Sequence, residues 1–300
     1  MSPRILRPLR RPRRPGPAAG SGLAARLLDP AITRAAARAA DPGGLRFTER
    51  QLYYETCRVL RPAPALLGRI PGTPAPPLRL PVFTRALDAR GRETVPGLLP
   101  PPPAPADSTR KHPSEPDLYD YGLPRLLLCQ DRSLAGMLLA NHVHLEAACP
   151  VLAASDAVPL DPRLLAALER AGGATVYVLH DASPQGVVLP ARVRAALGAV
   201  PGVRVTSLGL VPRQAAALRL PSGRRPAPAA AERAAWPGAL RPQEVAWLER
   251  GRFVQLDAVP PARLVRTVLR LLRGARPPRD SLWSGLRGLR GTGFMTWPAA

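Results

Sequence analysis

From residue 123 onward the chain alternates short apolar runs with amphipathic stretches. The apolar runs are Arg125–Cys129 (RLLLC), 150–154 (PVLAA), 174–180 (ATVYVLH) and 203–208 (VRVTSL). Runs of this length, rich in Leu, Val and Ile-like side chains, have the dimensions of buried strands. Between them, 133–145, 161–171 and 188–197 carry helical spacing. Pro162 stands at the first turn of the second of these, and Gly172 and Gly173 stop it. Strands that alternate with helices pair in parallel, because each crossover returns the chain to the same end of the sheet. The expected fold class is therefore α/β, a parallel sheet with flanking helices. Ligands in such sheets meet the carboxyl ends of the strands. Here those ends are Gln130 and Asp131, then Ser155 and Asp156, then 181–186.

The first third of the chain has a different texture. Residues 1–44 are expected to be a disordered basic arm followed by an Ala/Arg-rich helix over 22–40, broken at Pro30. The arm holds Arg10, Arg11, Arg13 and Arg14 among prolines, and these are candidate phosphate contacts. A solvated tail or an organellar transit peptide reads the same residues differently. Residues 47–60 (FTERQLYYETCRVL) read as a helix with a T-x-x-Q capping box at Thr48 and Gln51. Leu52, Cys57 and Leu60 are expected on its core side. Proline dominates 61–116, with one short strand or helix expected near 80–87, so 96–122 reads as a linker. Beyond the sheet, 241–250 and 261–273 look like amphipathic helices, and the last stretch is an Arg/Gly-rich tail.

Charge narrows the partners. The 300 residues hold 43 basic and 21 acidic side chains, a formal net charge of +22. Lys111 is the sole lysine, and the Arg, Ala and Pro bias is that of a GC-rich coding sequence. Acidic residues tolerate the same bias and do not balance the arginines. A surface this positive attracts polyanions, with nucleic acid first. No apolar run approaches the ~18 residues that a membrane span needs, so no membrane partner is expected. Cys57, Cys129 and Cys149 form no CxxC, which argues against a disulfide framework or a structural zinc site. The expected location is the cytoplasm, associated with the nucleoid if the source is bacterial. His142 and His144 lack further ligands, Cys129 lies in an apolar run, Ser183 lacks a G-x-S-x-G context, and no P-loop is present.

Four segments together resemble one family. FTERQLYY (47–54) is similar to the T-x-R-[DEQ]-[IL]-Y-Y motif of the topoisomerase VI A subunit and its meiotic relative, Spo11. HDASPQG (180–186) resembles the G-D-x-D-P-x-G turn of their Toprim domain. VTSLGLVPRQAAALRL (205–220) and EVAWLERGRFVQLDAV (244–259) resemble later segments in the same order. The resemblance implies a small helical, winged-helix-like module over 45–95, a Toprim-like domain over 123–222 and a C-terminal helical region over 223–300. It implies DNA as partner, and it leaves a homodimer and a separate partner subunit open.

The resemblance also implies a mechanism. The second tyrosine, Tyr54, would attack a phosphodiester, with Arg50 orienting the phosphate. A phenol of ordinary pKa near ~10 needs a cation or base nearby for that. The bland alternative is a helix in which Tyr53 and Tyr54 pack. Carboxylates at three Toprim positions would hold Mg²⁺. Here the three are Gln130, Asp181 and Ser183, so two of the three are neutral. Asp131 and Asp156 are candidate substitutes, although neighbouring side chains on a strand point to opposite faces. HDASPQG also reads simply as a strand-to-helix turn. The sequence-level expectation is a DNA-binding protein with weak or no cleavage and weak or absent Mg²⁺. An active Tyr54 transesterase or Toprim nuclease, and an interaction subunit without DNA, are the alternatives.

Overall fold

A computed structural model describes residues 20–61, 72–102, 122–198 and 200–273. The basic arm with Arg10, Arg11, Arg13 and Arg14, and the C-terminal tail, lie outside the described residues.

The first helix, α1 (Gly20–Ala40), runs through Pro30 without the expected break. Proline removes one backbone hydrogen bond from a helix. Packing offsets that loss: Ile32, Ala35, Ala36 and Ala39, at helical spacing, are buried against the following helices. The three alanines let α1 approach closely the second helix, α2 (Glu49–Leu60). The capping box forms as the sequence predicts. The Gln51 N–H donates to Thr48 Oγ1 at 3.1 Å, and the Thr48 N–H donates to Gln51 Oε1 at 2.9 Å. Every residue of α2 from Gln51 to Cys57 is buried. Leu60 is not on the core side: it is 38% exposed, because the helix ends there and Arg61 turns to extended backbone. Thr48→Ala is expected to destabilise the protein by about 1–2 kcal/mol, read as a lower urea midpoint at unchanged m-value.

The proline-rich stretch folds more than its composition suggests. Helix α3 (Leu80–Arg90) carries Pro81 in its first turn, where the missing N–H costs nothing. Residues 96–102 are not a free linker. The Phe47 N–H donates to Gly97 O at 3.0 Å, and the Leu99 N–H returns to Phe47 O at 2.9 Å. A Cβ on Gly97 would come within 2.9 Å of the Phe47 ring, so only glycine lets this strap lie flat on Phe47. Two of these helices, α2 and α3, fall within 45–95, and α1 packs on them from outside that span. A two-stranded wing is not among the described residues; one parallel bridge joins Phe47 to Leu98.

The sheet is parallel throughout, in the order β2-β1-β3-β4. Its strands are β1 (Arg125–Cys129), β2 (Val151–Ala153), β3 (Thr175–Leu179) and β4 (Arg204–Ser207). Both faces of β1 are buried, as its unbroken leucine run requires. Leu126 and Leu128 face α7 (Pro162–Arg170) and α8 (Pro184–Leu197), while Leu127 and Cys129 face the core shared with α1 and α2. The single helix expected over 133–145 is two, α4 (Arg132–Ala140) and α5 (Val143–Ala147). A tertiary contact ends the first. Asn141 accepts the Arg46 N–H at 2.9 Å and donates to Arg46 O at 2.8 Å, and His142 follows with φ 56°. The short helices α6 (Ala154–Ala157) and α9 (Pro212–Ala217) follow β2 and β4.

The C-terminal region packs onto the sheet rather than standing apart. An antiparallel pair, β5 (Gly223–Arg224) and β6 (Arg252–Phe253), brackets α10 (Ala230–Ala234) and α11 (Pro242–Glu249). The chain then crosses the strand ends, where Val254 bridges Ala182, before α12 (Pro261–Arg273) packs against α5 and α1. No helix among the described residues is long and apolar enough to cross a membrane.

Candidate functional site

Strand order reverses direction between β1 and β3, which opens the crevice where doubly wound sheets hold ligands. Gln130 leaves the end of β1 and Asp181 follows the end of β3. Gln130 Oε1 accepts the Asp181 N–H at 2.9 Å, so the amide ties the two strand ends together. Asp181 Oδ1 accepts the Leu256 N–H at 2.7 Å. Ala182 and Val254 exchange backbone hydrogen bonds at 3.0 and 2.9 Å. Residues 254–258 therefore lie across the mouth of the crevice.

Helix α2 closes the same space from the other side. Thr48 donates from Oγ1 to Asp257 Oδ1 at 2.6 Å, and Tyr54 donates from its hydroxyl to Gln255 Oε1 at 3.0 Å. Tyr53 donates to Leu78 O at 2.6 Å and stacks edge-on against Phe83 at 5.5 Å. Both tyrosines are buried. Burial, reinforced by the negative charge of Asp257, pushes the Tyr54 phenol well above its ordinary pKa, and Arg50 pulls only partly the other way. The hydroxyl is held as a donor, which is the arrangement of a packed tyrosine.

The carboxylates are shifted as a group. Desolvation raises Asp181 to about 7, offset by the Leu256 N–H and reinforced by repulsion from Asp257 and Asp131. Desolvation raises Asp257 to about 6, offset by the Thr48 hydroxyl. Arg50 opposes both shifts, so it lies within electrostatic reach of both. It is half-buried and makes no hydrogen bond or ion pair among the described residues.

The fold thus brings together Tyr54, Arg50, Gln130, Asp131 and Asp181 of the sequence-level candidates. It commits Ser183 and Asp156 to other contacts. Ser183 Oγ accepts the Gly186 N–H at 3.0 Å as the N-cap of α8, and Pro184 opens that helix. Asp156 forms an ion pair with Arg132, which holds its carboxyl below the usual range. Gln130 spends its oxygen on the Asp181 backbone. Asp131 caps α4 by accepting the Ser133 N–H at 2.7 Å. At the three positions that the resemblance would assign to a metal, the donors therefore do not fit Mg²⁺: Gln130 and Ser183 are neutral and committed to backbone N–H groups. Among the described residues no group of three or more His, Cys, Asp and Glu is arranged to hold a metal ion.

Sequence reasoning missed Asp257 and Gln255, although the segment carrying them was singled out. A lone carboxylate inside the apolar run VQLDAV was the available signal. His180 takes no ligand role here. Its Nε2 is bonded to Ser207 Oγ at 2.8 Å, its Nδ1 lies 2.9 Å from Asp181 O, and burial lowers its pKa. Cys149 is pushed up to about 12 by burial, and Cys129 is also raised, so neither is an activated thiol.

Beside this cluster lies a cavity of about 950 Å³. Thr48, Arg50, Arg92 and Arg132 border it, with an apolar floor from Leu139 and Leu152. Arg92 is paired with Glu49 at 2.8 Å and Asp88 at 2.6 Å, and Arg132 with Asp156, whereas Arg50 forms no ion pair among the described residues.

No family model, curated protein or solved structure matches this chain.

Proposed function

We propose that this protein binds DNA through a Toprim-like scaffold whose cleavage centre has become a structural joint. Arginine charge that folding leaves unneutralised carries the reading. Arg38, Arg50, Arg219, Arg263, Arg266 and Arg270 form no ion pair among the described residues, in a chain of net charge +22. Three of them, Arg263, Arg266 and Arg270, are exposed along one side of α12. Cations without protein partners attract phosphates and release their counterions on binding.

The parallel sheet, the positions of Gln130 and Asp181 at adjoining strand ends, and the order of the resembling segments support the Toprim-like part. The neutral residues at two of the three metal positions, and a Tyr54 hydroxyl held as a donor, support loss of cleavage. Binding then uses charge and shape, and the joint serves to hold α2 and residues 254–258 on the sheet.

Fluorescence anisotropy on a labelled duplex, titrated between 50 and 200 mM NaCl, tests the binding. The expected affinity falls at least ~100-fold across that range, as several phosphate contacts require. An affinity indifferent to salt would remove the DNA reading. Supercoiled plasmid in Mg²⁺ and then Mn²⁺ is expected to stay intact. Nicking that disappears in both Tyr54→Phe and Asp181→Asn would restore the active-enzyme reading instead.

A further inference from the structure

A second cavity, of about 310 Å³, opens between α2, the turn after α9 and the start of α12, with Tyr54 in its lining. Four guanidinium side chains border it: Arg58 and Arg61 from the end of α2, Arg219 from the turn, and Arg263 from α12. Tyr54 and Pro260 are among its less polar walls. Chain segments far apart in sequence supply these cations, so tertiary folding alone gathers them.

The charges there are poorly balanced. Glu55 pairs with Arg58. Arg61 donates to Ala75 O at 3.0 Å, a neutral partner. Arg219 and Arg263 have no hydrogen-bonding or ionic side-chain partner among the described residues. Burial lowers the Arg58 pKa, and repulsion from Arg38 and Arg61 adds to that effect despite Glu55. The cavity is therefore a positive site before any ligand enters.

The backbone at Arg219 is a second observation. Its φ is +52°, the left-handed region that ordinary L-residues avoid, and its N–H donates to Ala216 O at 3.0 Å. Glycine would adopt this turn without strain. Arginine stands there instead, with its side chain on the cavity.

We propose that this cavity is a phosphate-binding site, filled by a phosphate group held between Arg58, Arg61, Arg219 and Arg263. Guanidinium groups present planar pairs of donors that match phosphate oxygens, and they stay charged at every working pH. Partly apolar walls strengthen such charge-assisted bonds by excluding water. The proposal deepens the DNA reading and rests on it for the source of the phosphate, a backbone phosphate of DNA.

The test uses the full chain, with Arg219→Gly and Arg263→Ala, and Arg192→Ala on the exposed side of α8 as comparison. Arg219→Gly relieves the strained φ, so its melting temperature is expected to stay equal or rise. Lost binding in that variant then cannot be lost folding. Two probes are used: the labelled duplex by anisotropy, and pyrophosphate by calorimetry. The expected result is a ~10-fold loss of duplex affinity and a shallower salt slope in both cavity variants, with Arg192→Ala close to wild type. Tight duplex binding unaffected by either cavity variant would overturn the site and leave DNA binding standing. No duplex binding, with pyrophosphate binding that both cavity variants abolish, would keep the phosphate site and overturn its DNA source. Binding of neither probe would overturn both.

Discussion

Gly186→Ala is expected to destabilise the protein by about 3 kcal/mol, and Gly136→Ala to stabilise it by about 0.5–1 kcal/mol. Both glycines lie in helices, so helix propensity favours alanine at each. Their surroundings decide the sign. A Cβ on Gly186 would sit 2.2 Å from the Asp181 carbonyl oxygen and 2.9 Å from Gln130 Oε1. The first is backbone at the end of β3 and cannot swing aside. The second is the amide that ties β1 to β3. Alanine must therefore push α8 off the strand ends and open the crevice that residues 254–258 cover. At Gly136, on the exposed side of α4, nothing lies within 4 Å of the same added carbon. Urea unfolding of both variants at pH 7 checks the pair. Equal shifts in the same direction would mean that the packing of α8 on Asp181 is not as described.

Asp257→Asn is expected to stabilise the protein by about 2 kcal/mol at pH 8 and to leave it nearly unchanged at pH 4. Asp257 is buried, and among the described residues its side-chain hydrogen-bond partner is the Thr48 hydroxyl at 2.6 Å. Burial raises it to about 6, whereas an unfolded aspartate titrates near ~3.9. Between those values the folded protein holds more protons than the unfolded chain. Its contribution is intact below pH ~4 and is lost as pH rises through about 6, because ionising the buried carboxyl then works against folding. Asp181, raised to about 7 beside it, extends the decline to higher pH. Asparagine keeps an oxygen for the Thr48 hydroxyl and carries no charge. Melting temperatures of wild type and variant from pH 4 to pH 8 should therefore diverge as pH rises. Parallel curves would show that Asp257 is ionised at no cost and that Arg50 fully compensates it.

The local elements were largely legible in the sequence because local chemistry makes them. RLLLC and ATVYVLH are too apolar and too short for anything but buried strands, and each found a place in the parallel sheet. The T-x-x-Q box capped α2, and Pro162 and Pro184 opened helices where a missing N–H is free. The same information misled where a distant partner intervened. The expected helix over 133–145 is divided by Arg46, which lies 95 residues before Asn141. Pro30 stays inside α1 because alanines beyond it are buried on α2 and α3. The strap over 96–102 is ordered by Phe47, which no proline count reveals.

The candidate site divides along the same line. Residue identity alone determined that two of the three positions the resemblance would assign to a metal are neutral, since no fold can make Gln130 or Ser183 a carboxylate. It also determined the excess of arginine over acid, 43 basic against 21 acidic residues. Tertiary structure decided what surrounds those residues. It placed Asp257, remote in sequence, against Thr48, buried the Tyr54 hydroxyl on Gln255, and gathered Arg58, Arg61, Arg219 and Arg263 around one cavity. The physical reason is range. Propensity, capping and strand patterning act within a few residues, whereas desolvation and charge pairing depend on neighbours that only the packed chain supplies.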